Sequence, residues 1–145
     1  MVDIESIVFS RISSAIRTAF PSNFTTSTNG IITGEKVSAP SSFPAVCITE
    51  ENNSVYLRSQ DSSSVENHSD LMYEVEIYSN LSSGRKAQCK AIAKIVNDTM
   101  ADMNFTRKPG SGIIPNANSS IARWFGRWTA VASKTEDNTV LIYRK

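Results

Sequence analysis

Cysteine is scarce in this chain, and its scarcity excludes two common kinds of scaffold. Two cysteines, Cys47 and Cys89, are too few for a disulfide framework, and no second ligand pair stands near them for a zinc site. They read as small, semi-buried hydrophobes. Long hydrophobic runs are also missing: none approaches the roughly 18 to 20 residues needed to cross a bilayer. The opening MVDIESIVFSRISSAI places acids where a signal peptide needs positive charge, so the protein is expected to be made and used in a cytoplasm. Seven Asn-x-Ser/Thr sequons occur, at Asn23, Asn52, Asn67, Asn80, Asn97, Asn104 and Asn118. Without a secretion signal, and with Asn97 inside an expected helix, they reflect composition rather than glycosylation.

Catalytic residue types are equally thin. His68 is the only histidine, and it is expected in a polar, solvated loop. The Ser-rich stretches lack a Gly-x-Ser-x-Gly elbow, and no carboxylate pair lies at a metal-ligand spacing from a His or Cys. Asp61, Glu66 and Asp70 read as solvated, because nothing fixes them in a coordinating loop. The SSGRK segment, 82–86, has small residues ahead of a helix start, where exposed amides favour anions. It lacks the spacing of a phosphate-binding P-loop, so a helix start explains it. No catalytic, cofactor-binding or metal-ligating residue is assigned, and the chain is expected not to be an enzyme.

At 145 residues the chain is of ordinary size for one domain and long enough to bury a core unaided. The net charge of +1 hides an asymmetry. Residues 1–78 hold four Lys or Arg against ten Asp or Glu, whereas residues 79–145 hold eleven against four. Such a division marks either a nucleic-acid face or a subunit whose acidic side meets its neighbour's basic side.

Ile4, Ile7, Val8, Ile12, Ile16 and Phe20 recur at steps of three and four, predicting an amphipathic helix over 3–20 that Pro21 ends. Turn and breaker residues fill 21–42, a long loop with a brief strand at Ile31 and Ile32. FPAVCITEE, 43–51, reads as a strand. A polar stretch over 51–69 follows, with a short strand at Val55, Tyr56 and Leu57. SDLMYEVEIYSN then alternates with period two: Leu71, Tyr73, Val75 and Ile77 on one face, Met72, Glu74, Glu76 and Tyr78 on a wet, acidic one. A second helix follows, capped by Ser82 or Ser83, with Ala87, Ala91, Ile92, Ile95, Val96, Met100 and Met103 as its apolar stripe. Lys86, Lys90 and Lys94 form a basic ridge along another side. After a Gly/Pro loop over 107–120, SIARWFGRWTAVASK and TVLIYRK form a hairpin through TEDN. The expectation is α+β: a single two-layer domain over 1–145, with a mainly antiparallel sheet of about four to five strands on two amphipathic helices.

Both tryptophans fall in RWFGRWTAV, 123–131. In a strand, Trp124 and Trp128 share one face with Gly126 between them, while Arg123, Phe125 and Arg127 share the other. That division suits a strand packed on its own core on one side and on another protein on the other. The simpler alternative is a core strand whose arginines face water. The segment is also similar to the RNA-contacting strand of an RNA-recognition motif, but Trp124 replaces a required glycine and Arg127 a stacking aromatic. A nucleic-acid-binding module using Lys86, Lys90, Lys94, Arg123 and Arg127 therefore stands as an alternative function.

The order FPAVCITEE, YEVEIYSN, GRKAQCKAIAKIVNDTMADMNFTR, a Pro/Gly loop, IARWFGRWTAVASK and a terminal IYRK resembles the tail terminator, or tail-completion, proteins of long-tailed phages and related contractile particles. The resemblance spans about residues 3 to 145 in element order. Asn104 stands where a glycine commonly precedes the phenylalanine after the second helix, here Phe105. The resemblance implies a virion structural protein of the tail or neck, assembled in the host cytoplasm. It would form a homo-oligomeric ring of six that caps the tail tube, stops its polymerisation and docks to the head connector. Its partners would be itself, the tube protein, the connector or stopper, and DNA passing through the lumen without specific binding; a membrane is not among them. Another neck protein, a head-side stopper or adaptor, is the alternative within this class. Arg123, Phe125, Arg127, Lys86, Lys90 and Lys94 are the expected interface residues, and Glu74 and Glu76 the expected lumen-facing acids.

Overall fold

The computed structural model describes residues 1–24, 30–37, 39–56 and 68–145. Leu57, Asp61 and Glu66 lie outside the described residues. The chain is α+β, with two helices and one mixed sheet of seven strands among the described residues.

Helix α1 spans Glu5–Ala19 and buries the line Ile4, Val8, Ile12 and Ile16 completely. Ile7 stands about 120° round from that line and emerges at 41% exposure, contrary to the expected stripe. Helix α2, Arg85–Asp102, packs through Cys89, Ile92, Ala93, Val96, Thr99 and Met100. Its buried line is therefore rotated away from Ala87 and Ala91, which are exposed. Neither Ser82 nor Ser83 caps it: the cap position is Gly84, in the left-handed region at φ 78°, without a side-chain cap bond. At the other end Asn104 takes φ 68°, the region a glycine would favour and asparagine tolerates. This lets the Phe105 N–H donate to the Met100 carbonyl at 2.9 Å.

Strand β1, Ile31–Thr33, runs parallel to β2, Ala45–Val55. The expected strand at 43–51 begins at Ala45 and continues through a bulge at Glu51, between Glu50 and Asn52, to Val55; of the short strand expected at Val55, Tyr56 and Leu57, Val55 is the end of β2 and Tyr56 lies beyond it. Strand β3, His68–Ser79, is antiparallel to β2 and to β6, Ala122–Lys134. The far edge of β6 is shared by three short strands: β5, Gly112–Ile114; β4, Thr106–Arg107; and β7, Val140–Arg144. The sheet is mainly antiparallel, as expected, but has seven strands among the described residues where about four to five were expected. Two- and three-residue strands are too short for any periodicity to announce, and β1 is parallel.

Both helices lie against one face of the sheet. Leu71, Tyr73, Val75 and Ile77 of β3 are fully buried there, beside Trp124 and Trp128 of β6. The indole N–H of Trp128 donates to Asn97 of α2 at 3.2 Å, which satisfies the polar atom of a fully buried ring. The N-terminus is tied down by Val2, whose N–H donates to Ser69 and whose carbonyl accepts from Asn53. The face turned away from the helices holds a smaller apolar cluster of Ala45, Cys47 and Tyr78.

Candidate interaction face

Alternation along β3 and β6 sends Glu74, Glu76 and Tyr78 to the open face together with Arg123, Phe125 and Arg127. Their register sets Arg127 directly opposite Glu74 and Phe125 opposite Glu76, while Arg123, opposite Tyr78, lies diagonal to Glu76. Arg123 hydrogen-bonds Glu76, whose other oxygen accepts the Tyr78 hydroxyl at 2.8 Å. The Arg127 Nε donates to Glu74 at 3.2 Å. From across the sheet Lys36 reaches Glu51 at 2.8 Å and Glu74 at 3.6 Å. The guanidinium of Arg127 lies 5.0 Å from the Phe125 ring centre, and that of Arg123 lies 5.7 Å from Tyr78, both within cation–π range.

The expected wet, acidic face is therefore not what folds. Glu74 and Glu76 are 2% and 6% exposed, roofed by the bases above them. Three carboxylates are matched by three bases, so the negative charge expected to face a lumen is cancelled within the chain. Buried ion pairs of this kind add little net stability, because desolvation offsets their attraction. Breaking one side is costly, so they fix which side chains share the face. The two glutamates respond in opposite directions. Burial, reinforced by the nearby Glu51, holds the Glu74 carboxyl above the usual range despite Lys36 and Arg127. Burial raises Glu76 too, but the hydrogen bonds from Arg123 and Tyr78 outweigh it and hold that carboxyl low. Lys36, hydrogen-bonded to Glu51, is held above its ordinary value, and Glu51 below its own.

A cleft of about 400 Å³ opens at one end of this lattice, between Lys36 and Val37 on one side and Asn116 and Ala117 on the other, with Glu76, Tyr78 and Arg123 also lining it. Arg127 remains about half exposed, at 47% of its side chain. With Lys36, 52% exposed, it is one of the two charged groups of the lattice open to a partner.

Other expected residues fall elsewhere. Lys86, Lys90 and Lys94 are exposed on α2, Lys94 paired with Asp98 at 3.1 Å. They lie on the helical side, whereas Arg123 and Arg127 lie beyond the sheet, so these five bases do not form one surface. His68 is the first residue of β3 rather than a loop residue, and lies near the Tyr56 and Tyr143 rings at 6.5 and 5.7 Å. Asp70 keeps 26% of its side chain exposed and is paired at the surface with Lys145 at 2.7 Å. Cys47 and Cys89 are fully buried, and burial pushes the Cys89 thiol up to about 11. No helix among the described residues is long and apolar enough to cross a membrane.

Sequence reasoning missed Lys36 and Glu51 as members of the lattice. Lys36 lies in an irregular segment far along the chain from Glu74, and Glu51 is aimed by a bulge; neither carries a periodic signal. No protein-family profile matches the chain, and no curated protein matches it.

Proposed function

We propose that this chain is a structural, ring-forming subunit of a phage-type tail: a tail terminator that caps the tail tube, halts its growth and offers a docking surface to the head connector. The reading rests on the resemblance in motif order and on one structural observation. Both helices cover one face of the sheet, while the other face presents a charge-balanced lattice with a half-exposed Arg127 over the Phe125 ring. Arginine and aromatic side chains held in fixed geometry are the residues that most often anchor protein contacts. A lattice whose charges are already paired gives a partner shape and hydrogen bonds without exposing a bare buried charge. No reaction is assigned to the chain.

Light scattering across a micromolar concentration range, alone and with purified tail tubes, tests the reading. The expected outcome is a ring near six subunits that is seen by negative stain at tube ends and arrests tube elongation. A strict monomer that leaves tubes growing would overturn it.

A further inference from the structure

Two sets of the charges that the lattice leaves unpaired stand on opposite edges of the sheet. On the β1/β2 edge, Asp3, Glu5 and Glu35 are exposed, and no cation pairs with them among the described residues. Asp3, Glu5 and Glu50 bring one carboxylate oxygen each within 4.8 Å of the others. Asp3 and Glu5 line a concavity of about 480 Å³ together with Phe9 and Gly34. The opposite edge, made by β4 and β7, carries Arg107, Lys108, Lys134 and Arg144. None of them is ion-paired among the described residues; the Arg144 guanidinium donates instead to the Ala101 carbonyl at 3.2 Å and to Asn104. Beside them Leu141 and Tyr143 are 41% and 45% exposed. Among the described residues no strand pairs with the outer side of β1 or of β7.

We propose that these two edges dock on each other between copies of this chain, the acidic β1/β2 edge of one against the basic β4/β7 edge of the next. The inference rests on the ring-forming reading above and names its subunit contact. Two unlike surfaces on one chain make a heterologous contact, which repeats around a ring until it closes. Carboxylates around a concavity accept a guanidinium or ammonium through charge-assisted hydrogen bonds. Two unpaired strand edges give the same contact main-chain partners. The asymmetry between the two parts of the sequence becomes, in the fold, an asymmetry between the two sides of the sheet.

Charge reversal on the full chain tests this. A Glu5→Lys/Glu35→Lys variant has two basic edges, and an Arg107→Glu/Lys108→Glu variant has two acidic ones; all four positions are exposed. Each variant alone is expected to self-associate at least about tenfold more weakly than the unaltered chain, while an equimolar mixture returns to within about threefold of it. In the mixture every contact of an alternating ring again joins unlike edges. The chain carrying all four changes should also associate by itself, which separates lost contact from lost folding. Association by each reversed variant as strong as that of the unaltered chain, or a mixture no stronger than its components, overturns the edge assignment and leaves the ring reading standing. An unaltered chain that is monomeric at every concentration overturns both.

Discussion

Gly126→Ala is expected to destabilise the protein, although alanine suits a strand interior better than glycine. Trp124, Gly126 and Trp128 share the helix-side face of β6, and the two indoles, 6.0 Å apart and tilted by 35°, lean across the glycine. A Cβ there would stand 2.5 and 2.7 Å from the Cη2 and Cζ3 of Trp124 and 2.9 Å from the Cη2 of Trp128. Carbons in contact prefer about 3.5 to 4.0 Å, so the rings must retreat by roughly 1 Å. Trp128 is fully buried and has nowhere to go. Overpacking of this kind costs about 1–3 kcal/mol, and replacing glycine within a strand returns roughly 0.5–1 kcal/mol. The net loss should be about 1–2 kcal/mol, which for a chain of this size lowers Tm by roughly 3–8 °C. Urea unfolding followed by tryptophan fluorescence, together with a thermal melt by circular dichroism, measures it. Gly34→Ala is the control: its Cβ would meet its nearest neighbours at 3.9 and 4.0 Å, ordinary contact, so it should be neutral or stabilising by about 0.4–1 kcal/mol. A Gly126→Ala protein as stable as the unaltered chain would refute the packing argument.

Substitutions at two further positions probe the two faces. Glu76→Gln removes the charge from the bond to Arg123 and should lower stability at pH 7 by roughly 1.5–3 kcal/mol. Because the folded Glu76 carboxyl titrates below its usual range, its contribution is present above about pH 4.3 and is lost as pH falls through the lower folded value. The variant should therefore lose less stability than the unaltered chain as pH falls below about 4.3; parallel acid limbs in urea titrations at several pH values would count against this assignment. On the other face, Asn97→Ala leaves the Trp128 indole N–H without its acceptor and should cost about 1–3 kcal/mol. Asn97→Asp, which keeps an acceptor oxygen, should cost less, and equal losses by chemical denaturation would argue that the bond is incidental.

Much of the architecture is legible without coordinates. The i, i+4 line of Ile4, Val8, Ile12 and Ile16 announces α1, and the alternation from Leu71 to Tyr78 announces β3. The division of RWFGRWTAV into an indole face and a guanidinium face follows from strand geometry, and the folded β6 has it. Glycine between two tryptophans on one face is likewise a sequence fact, explained by the two rings that lean across it. The short strands β4 and β5 are illegible for the opposite reason: they exist only because β6 offers them a partner.

The character of the open face was not legible. Read along β3, Glu74 and Glu76 are acids on a polar face, and exposure is the default for such residues. What buries them is long-range: two arginines some fifty residues later in the chain, one brought opposite and one diagonal by antiparallel register, and a lysine from an irregular segment on the far side of β2. The same register carries Arg123 and Arg127 to the side of the sheet away from the α2 lysines, and so divides bases that look continuous along the chain. The sequence by itself determined which residues alternate and which repeat, because periodicity is a property of the local backbone. Only the tertiary structure decided which charges meet and which are left on the sheet edges, because pairing depends on strand register and order, which no local pattern encodes.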